Sequence, residues 1–274
     1  MSERWCLRAV LLLAICSASC APKLTKLPTG PGTLAPDIAA AHLQAFSSCM
    51  RVQSLSAEIA VSGSVNGQRI RARLIGGFTN TSVRFEAVAP FGAPLFTFVA
   101  TGRDGTLFLP RDRRVVEHGQ PAEVMAAVAG VPLGATDMLR TLTGCGIPDR
   151  LDSPLAIGDN WRTAAGPGGS KIYLHRDKPS TPWRLVTVLQ PGDALRSSWR
   201  ADYDDFHDGL PYTVRLVSAD QRRFNLELKL SQLEPNVQLK PEVFRVDVPS
   251  DAERITVEEL QRSGLLGAPK GRDQ

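Results

Sequence analysis

The chain has 274 residues, 43% hydrophobic and 22% charged, enough apolar material to bury the core of one ordinary domain. Its 32 basic and 28 acidic residues give a formal charge of +4, too even a balance to point to a nucleic-acid partner. Arg4 and Arg8 precede an apolar run over 9–15, and the small residues Cys16-Ser17-Ala18-Ser19 precede Cys20. Charge, apolar run and small residues in that order read as an export signal. The run is too short to cross a bilayer as a helix, which takes roughly 20 apolar residues, and no later segment approaches that length.

The stretch Leu13-Ala14-Ile15-Cys16-Ser17-Ala18-Ser19-Cys20 resembles a bacterial lipobox, with Ser17 standing where a leucine is usual. The reading makes 1–19 a lipoprotein signal peptide and Cys20 the lipid-attachment residue, with palmitate among its acyl groups. An ordinary signal peptide with a chance cysteine is the competing reading. Without Arg4, Arg8 and Glu3 the balance becomes 30 basic against 27 acidic residues. Residues 20–35, rich in Pro, Gly, Thr and Lys, predict a flexible tether. Cys49 and Cys145 remain for the domain itself. Two cysteines in an exported chain favour a disulfide between two helix ends, with two buried free thiols as the alternative.

Pro36-Asp37 predicts a helix start with Asp37 as its cap, and Ile38, Ala41, Ala45, Phe46 and Cys49 recur at helical spacing. The period then becomes two. Leu55, Ala57, Ile59, Val61, Gly63 and Val65 alternate up to Asn66-Gly67, a hairpin turn signal, and Ile70, Ala72 and Leu74 continue on the partner strand. Arg69, Arg71 and Arg73 fall on the other face of that strand, with Arg84 on a neighbour. A solvated sheet face explains them at lower cost than docking to an anionic membrane, which remains the alternative. A strand over 83–88 runs into Ala89-Pro90-Phe91-Gly92-Ala93-Pro94, a loop enforced by two prolines and a glycine, and a further strand follows over 95–100.

Further strands are predicted over 106–110 and at Val115-Val116. Gln120-Pro121 opens a short helix lined by Val124, Ala127, Val128 and Val131, with Pro in the favoured first position. Thr136 is expected to cap the next, lined by Met138, Leu139 and Leu142 and ended by Gly144. Strands follow over 171–175, 183–190, 197–203, 212–218 and 224–230. The reading is α+β, mainly antiparallel β, with about three helices. A long meander curls as its twist accumulates, and helices fit its concave side. Periodicity does not separate a packed core from an apolar cavity beneath them.

No constellation supports catalysis. Asp202-Tyr203-Asp204-Asp205-Phe206-His207-Asp208-Gly209 lacks calcium-loop spacing and reads as a solvated strand end and turn. The four histidines are scattered, and Gly166-Pro167-Gly168-Gly169-Ser170 reads as a turn. No enzyme activity, metal or cofactor is expected.

The run Val83-Arg84-Phe85-Glu86-Ala87-Val88-Ala89-Pro90-Phe91-Gly92-Ala93-Pro94-Leu95-Phe96-Thr97-Phe98 resembles the strand, Pro-apolar-Gly loop and strand of the LolB family, the outer-membrane lipoprotein receptors of the Lol sorting pathway. Pro121-Ala122-Glu123-Val124-Met125, Gly130-Val131-Pro132-Leu133 and Leu139-Arg140-Thr141-Leu142-Thr143-Gly144 are similar to that family's helix, link and second helix. The likeness covers about 55–144, and the rest in outline. It implies an unclosed half-barrel over 36–249, helices in its concave side and a cavity for acyl chains. It also implies a membrane-insertion loop at Pro90, Phe91 and Gly92, and Phe85, Phe96, Phe98, Val124, Val128, Leu139 and Leu142 as cavity candidates. The implied protein is a monomer anchored in the outer membrane and facing the periplasm. It would take lipoprotein acyl chains, from a periplasmic carrier, and help to localise lipoproteins.

Two features depart from the family. Ile75-Gly76-Gly77-Phe78 stands where an aromatic residue is common, and the carboxyl end, from Glu234-Pro235 to Val248-Pro249, looks more like the pathway's soluble carrier. Residues 250–274 read as a polar tail with room for one short helix. A non-catalytic structural lipoprotein, or a binder of another hydrophobic ligand, is the alternative function.

Overall fold

The computed structural model describes residues 24–88, 94–145, 151–192 and 198–263. Fifteen strands join into one sheet: β1 (Thr33–Leu34), β2 (Ser54–Val65), β3 (Gln68–Thr79), β4 (Ser82–Ala87), β5 (Phe96–Thr101), β6 (Asp104–Leu109), β7 (Arg114–Gly119), β8 (Asp152–Ile157), β9 (Trp161–Ala165), β10 (Lys171–His175), β11 (Arg184–Gln190), β12 (Trp199–His207), β13 (Leu210–Ser218), β14 (Phe224–Pro235) and β15 (Glu253–Arg254). Two meanders, β8 to β14 and β2 to β7, meet where β14 pairs with β2. All pairs are antiparallel except β15 on β7, and the sheet ends at β1 and β15 without closing. Among the described residues there are four helices: α1 (Ile38–Phe46), α2 (Pro121–Ala129), α3 (Ala135–Thr143) and α4 (Val257–Ser263).

The contacts of α3 define the curl. It packs against β3 and β4 on one side and β13 on the other. Those outer strands are four spacings apart, about 19 Å on a flat sheet, whereas a helix is about 10 Å across. One helix reaches both only if the sheet bends around it. Met138, Leu139 and Leu142 meet the even-numbered side chains of β3 and the inward residues of β4 and β13 in one apolar core. At the seam Gly63 has φ +136°, and a Cβ there would meet the Asn225 carbonyl oxygen at 2.0 Å, so no side chain fits between β2 and β14. The expected half-barrel is present, unclosed and with helices in its concave side.

Several expectations need correction. Asp37 does not cap α1 with its side chain; both carboxylate oxygens accept from Arg162, from Nε at 2.8 Å and Nη2 at 2.9 Å. That guanidinium also lies over the buried Trp183 ring, 4.7 Å from its centroid. Thr136 lies inside α3 and donates to the Asn80 carbonyl, while Asp137 accepts the Gly134 N–H at the helix start. The sequence reading missed β8 and β9. Pro154 and a register shift between Asp152 and Leu155 break the alternation that would have marked β8.

The domain limits also move. Residues 24–35 are not a free tether, because Thr33 and Leu34 pair with Ala156 and Leu155, and Thr25 is bonded to β12. The described part of the polar tail, 250–263, folds too: Glu253 and Arg254 pair with β7, and α4 buries Leu260 completely against the core.

Candidate functional site

The concave side is built from alternate residues of neighbouring strands. Register places Phe85 opposite Phe98 and Ala87 opposite Phe96 on β4 and β5, all facing inward. The Phe85 ring lies 5.9 Å from Phe96 and 5.1 Å from Phe98 between centroids, favourable tilted and edge contacts. Phe98 and Val124 are 0% exposed, and Phe96, Leu139 and Leu142 are also buried. Val128 is half-buried at the edge of the same core. The structure therefore brings all seven cavity candidates into one apolar cluster. Phe78 compensates for the Gly76-Gly77 departure: a Cβ on Gly76 would meet its ring at 2.6 Å, so the aromatic returns over the glycine.

A cleft of about 230 Å³ opens beside this core, between the end of α1 and α3. Leu139, Phe46, His42, Met50 and Arg140 line it, with Cys49 and Cys145 at its wall. These cysteines form a disulfide, Cα to Cα 5.6 Å, that ties the turn after α1 to the end of α3. The His42 ring lies tilted against Phe46, ring centroids 4.6 Å apart.

Burial pushes the His42 and His175 imidazoles below their ordinary value; for His175 the Asp177 carboxylate acts in the opposite sense. Between the folded value and the ordinary one near 6.5, the unfolded chain holds protons that the folded chain does not. Stability from these groups is therefore full above about pH 6.5 and is lost as pH falls through the folded values. The denaturant midpoint should drop between pH 7.5 and pH 5. His42→Gln with His175→Gln should flatten that drop, and an unchanged slope would remove these imidazoles as its cause.

The convex side carries a site that the sequence did not reveal. Asp202, read as part of a solvated strand end, is 0% exposed. Its Oδ1 accepts from Thr187 Oγ1 at 2.7 Å and from Arg200 Nε at 2.6 Å; its Oδ2 accepts from Arg200 Nη2 and from the Thr25 N–H, each at 2.8 Å. Arg200 also donates to the Thr25 carbonyl. A single ion pair thus holds both backbone groups of one residue in the N-terminal segment. The rest of the acidic run behaves as its composition implies: Asp204 and Asp205 are exposed, and Asp208-Gly209 form the hairpin turn with φ of 50° and 80°. No group of three metal-ligating side chains forms among the described residues.

Cys20, Pro90, Phe91 and Gly92 lie outside the described residues. No described helix is long and apolar enough to cross a membrane.

An unclosed antiparallel sheet bent around a helix, with an apolar concave side, defines a class of half-barrel proteins. Within that class the chain has the LolA-like fold. A LolA superfamily protein from Nitrosomonas europaea superposes with a TM-score of 0.54 at 12% identity, covering 76% of this chain and 97% of that one. A DUF1329 family protein from Desulfovibrio piger superposes with a TM-score of 0.53 at 11% identity, covering 77% and 97%. No protein-family model matches the sequence, and no curated protein is detectably similar to it.

Proposed function

We propose that this chain is an outer-membrane lipoprotein, acylated at Cys20, whose half-barrel binds acyl chains and helps to deliver lipoproteins to that membrane from a periplasmic carrier. The observation that carries the reading is the apolar concave side curled around α3, with Phe85, Phe96 and Phe98 grouped on two adjacent strands. An acyl chain entering there would be recognised by surface burial alone, about 0.8 kcal/mol per CH₂, without a catalytic group. In this reading Phe91, which stands between Pro90 and Pro94 in the sequence, partitions into the membrane during delivery and contributes on the order of 2 kcal/mol.

Gently purified protein should carry lipid detectable by mass spectrometry. Phe91→Glu should leave the circular dichroism and melting temperature unchanged while abolishing delivery of a lipoprotein to the outer membrane. Lipid-free protein together with undiminished delivery by Phe91→Glu would reject the proposal. The complete burial of Phe98 and Val124 favours a second reading, a structural lipoprotein with a filled core that holds a partner on its surface. That reading expects no bound lipid and a partner recovered by crosslinking.

A further inference from the structure

We propose that the convex face of β3, through Arg69, Arg71 and Arg73, docks on an anionic phospholipid surface. The three arginines alternate along one strand and are all exposed, and none of their guanidinium groups has an ion-pair or hydrogen-bond partner among the described residues. Their spacing of about 7 Å gives a cationic line some 13 Å long. Among the described residues, β4 pairs with β3 only from Leu74 to Phe78, so no described strand flanks the stripe on that side. Beyond that point the Val88 N–H donates to the Arg73 carbonyl.

The surroundings favour a membrane over bulk water. Val88 and Ile75 flank the stripe and are 38% and 50% exposed, so the same face offers apolar contact beside charge. The carboxylates nearby are largely spoken for. Glu86 is bound by Arg84, and Glu227 by Arg215 and Lys229; Glu58, half-buried on β2, stands opposite Ile75 and not opposite an arginine. Glu58 is diagonal to Arg73 and offsets at most one of the three charges, so the stripe keeps an excess of positive charge, which complements a leaflet of anionic headgroups.

Register ties this stripe to the N-terminal clamp. Asp202, Arg215, Glu227, Ser62 and Arg71 are successive partners across β12, β13, β14, β2 and β3, and all point outward. The clamp on Thr25 and the stripe thus both lie on the convex side, four strand spacings or about 19 Å apart along the curved sheet. If Cys20 is acylated, five residue steps separate it from Thr25, at most about 18 Å. The anchor then lies within that distance of the clamp, close enough for the stripe to meet the surface that holds it. This arrangement rests on the proposed acylation, whereas the stripe's affinity does not.

The test uses the chain from residue 20 with Cys20→Ser, which keeps every described residue and removes any contribution from an acyl anchor. Sedimentation with vesicles containing phosphatidylglycerol is compared with sedimentation with phosphatidylcholine alone. Binding is expected to the anionic vesicles only, to fall steeply with added salt, and to weaken about 100-fold in Arg69→Ser/Arg71→Ser/Arg73→Ser. A charge-matched control, Arg103→Ser/Arg111→Ser/Lys178→Ser, removes exposed cations elsewhere and should bind as the parent does. Equal binding by the stripe variant and the parent, equal loss in the control, or no preference for anionic vesicles would overturn the proposal. Because the reagent has no anchor and the readout needs no cargo, these results stand apart from the lipid-cargo experiment.

Discussion

Replacing Cys49 and Cys145 together by alanine is expected to lower the unfolding free energy by about 4 kcal/mol. The bond joins residues 96 positions apart, so cutting it releases a long loop in the unfolded chain, and loop-closure entropy grows with the logarithm of that length. It also links α1, which packs on β10 and β11, to α3, which packs on β3, β4 and β13. The native spectrum should change little, since alanine leaves both helix ends in place and the main effect is on the unfolded ensemble. Urea denaturation of the double variant and of the dithiothreitol-reduced parent should give nearly the same loss. A difference of less than about 1 kcal/mol from the oxidised parent would contradict the staple role.

The second large effect is expected at Asp202. Removing the carboxylate in Asp202→Ala leaves Arg200 without its partner, and breaking one side of a buried pair costs about 3 to 5 kcal/mol. Arg200 is 19% exposed and can turn toward water, which places the expected loss near 3 kcal/mol. The N-terminal segment should be freed at the same time. Amide exchange at Thr25 is predicted to rise to that of an open chain, while the Leu216 amide, in the β12–β13 ladder, keeps its protection. Asp202→Leu with Arg200→Met should cost less than Asp202→Ala, since it removes both charges and leaves neither buried alone. Persistent Thr25 protection in Asp202→Ala would show that other contacts hold the segment.

The sequence made some features plain because their signals are local. Asn66-Gly67 dictates the β2–β3 turn, and strict alternation on each side of it gives the face that turns inward. Pro121 and Gly144 mark helix ends by what their backbones allow, a fixed φ at the first helical residue and a left-handed conformation at the glycine; the earlier helix stops at Gly130, one residue short of the Val131 that the sequence placed on its stripe. Where the alternation was broken, the reading failed. At β8 a proline and a register shift hide a strand, and the acidic run from Asp202 to Asp208 hides one buried carboxylate among exposed ones. No composition rule separates Asp202 from Asp204; its burial depends on Thr25, 177 residues away, lying across it.

By itself, then, the sequence determined most of the antiparallel meander, the positions of the first three helices and the inward faces of β2 to β5, because each follows from backbone preferences over a few residues. Tertiary structure alone decided the bend of the sheet around α3, the pairing of Cys49 with Cys145, and the clamp that turns an apparent tether into part of the convex face. It also decided that Arg69, Arg71 and Arg73 share that face with the clamp. These depend on strands remote in the chain coming into register, and contacts at that range leave no periodic trace in the order of residues.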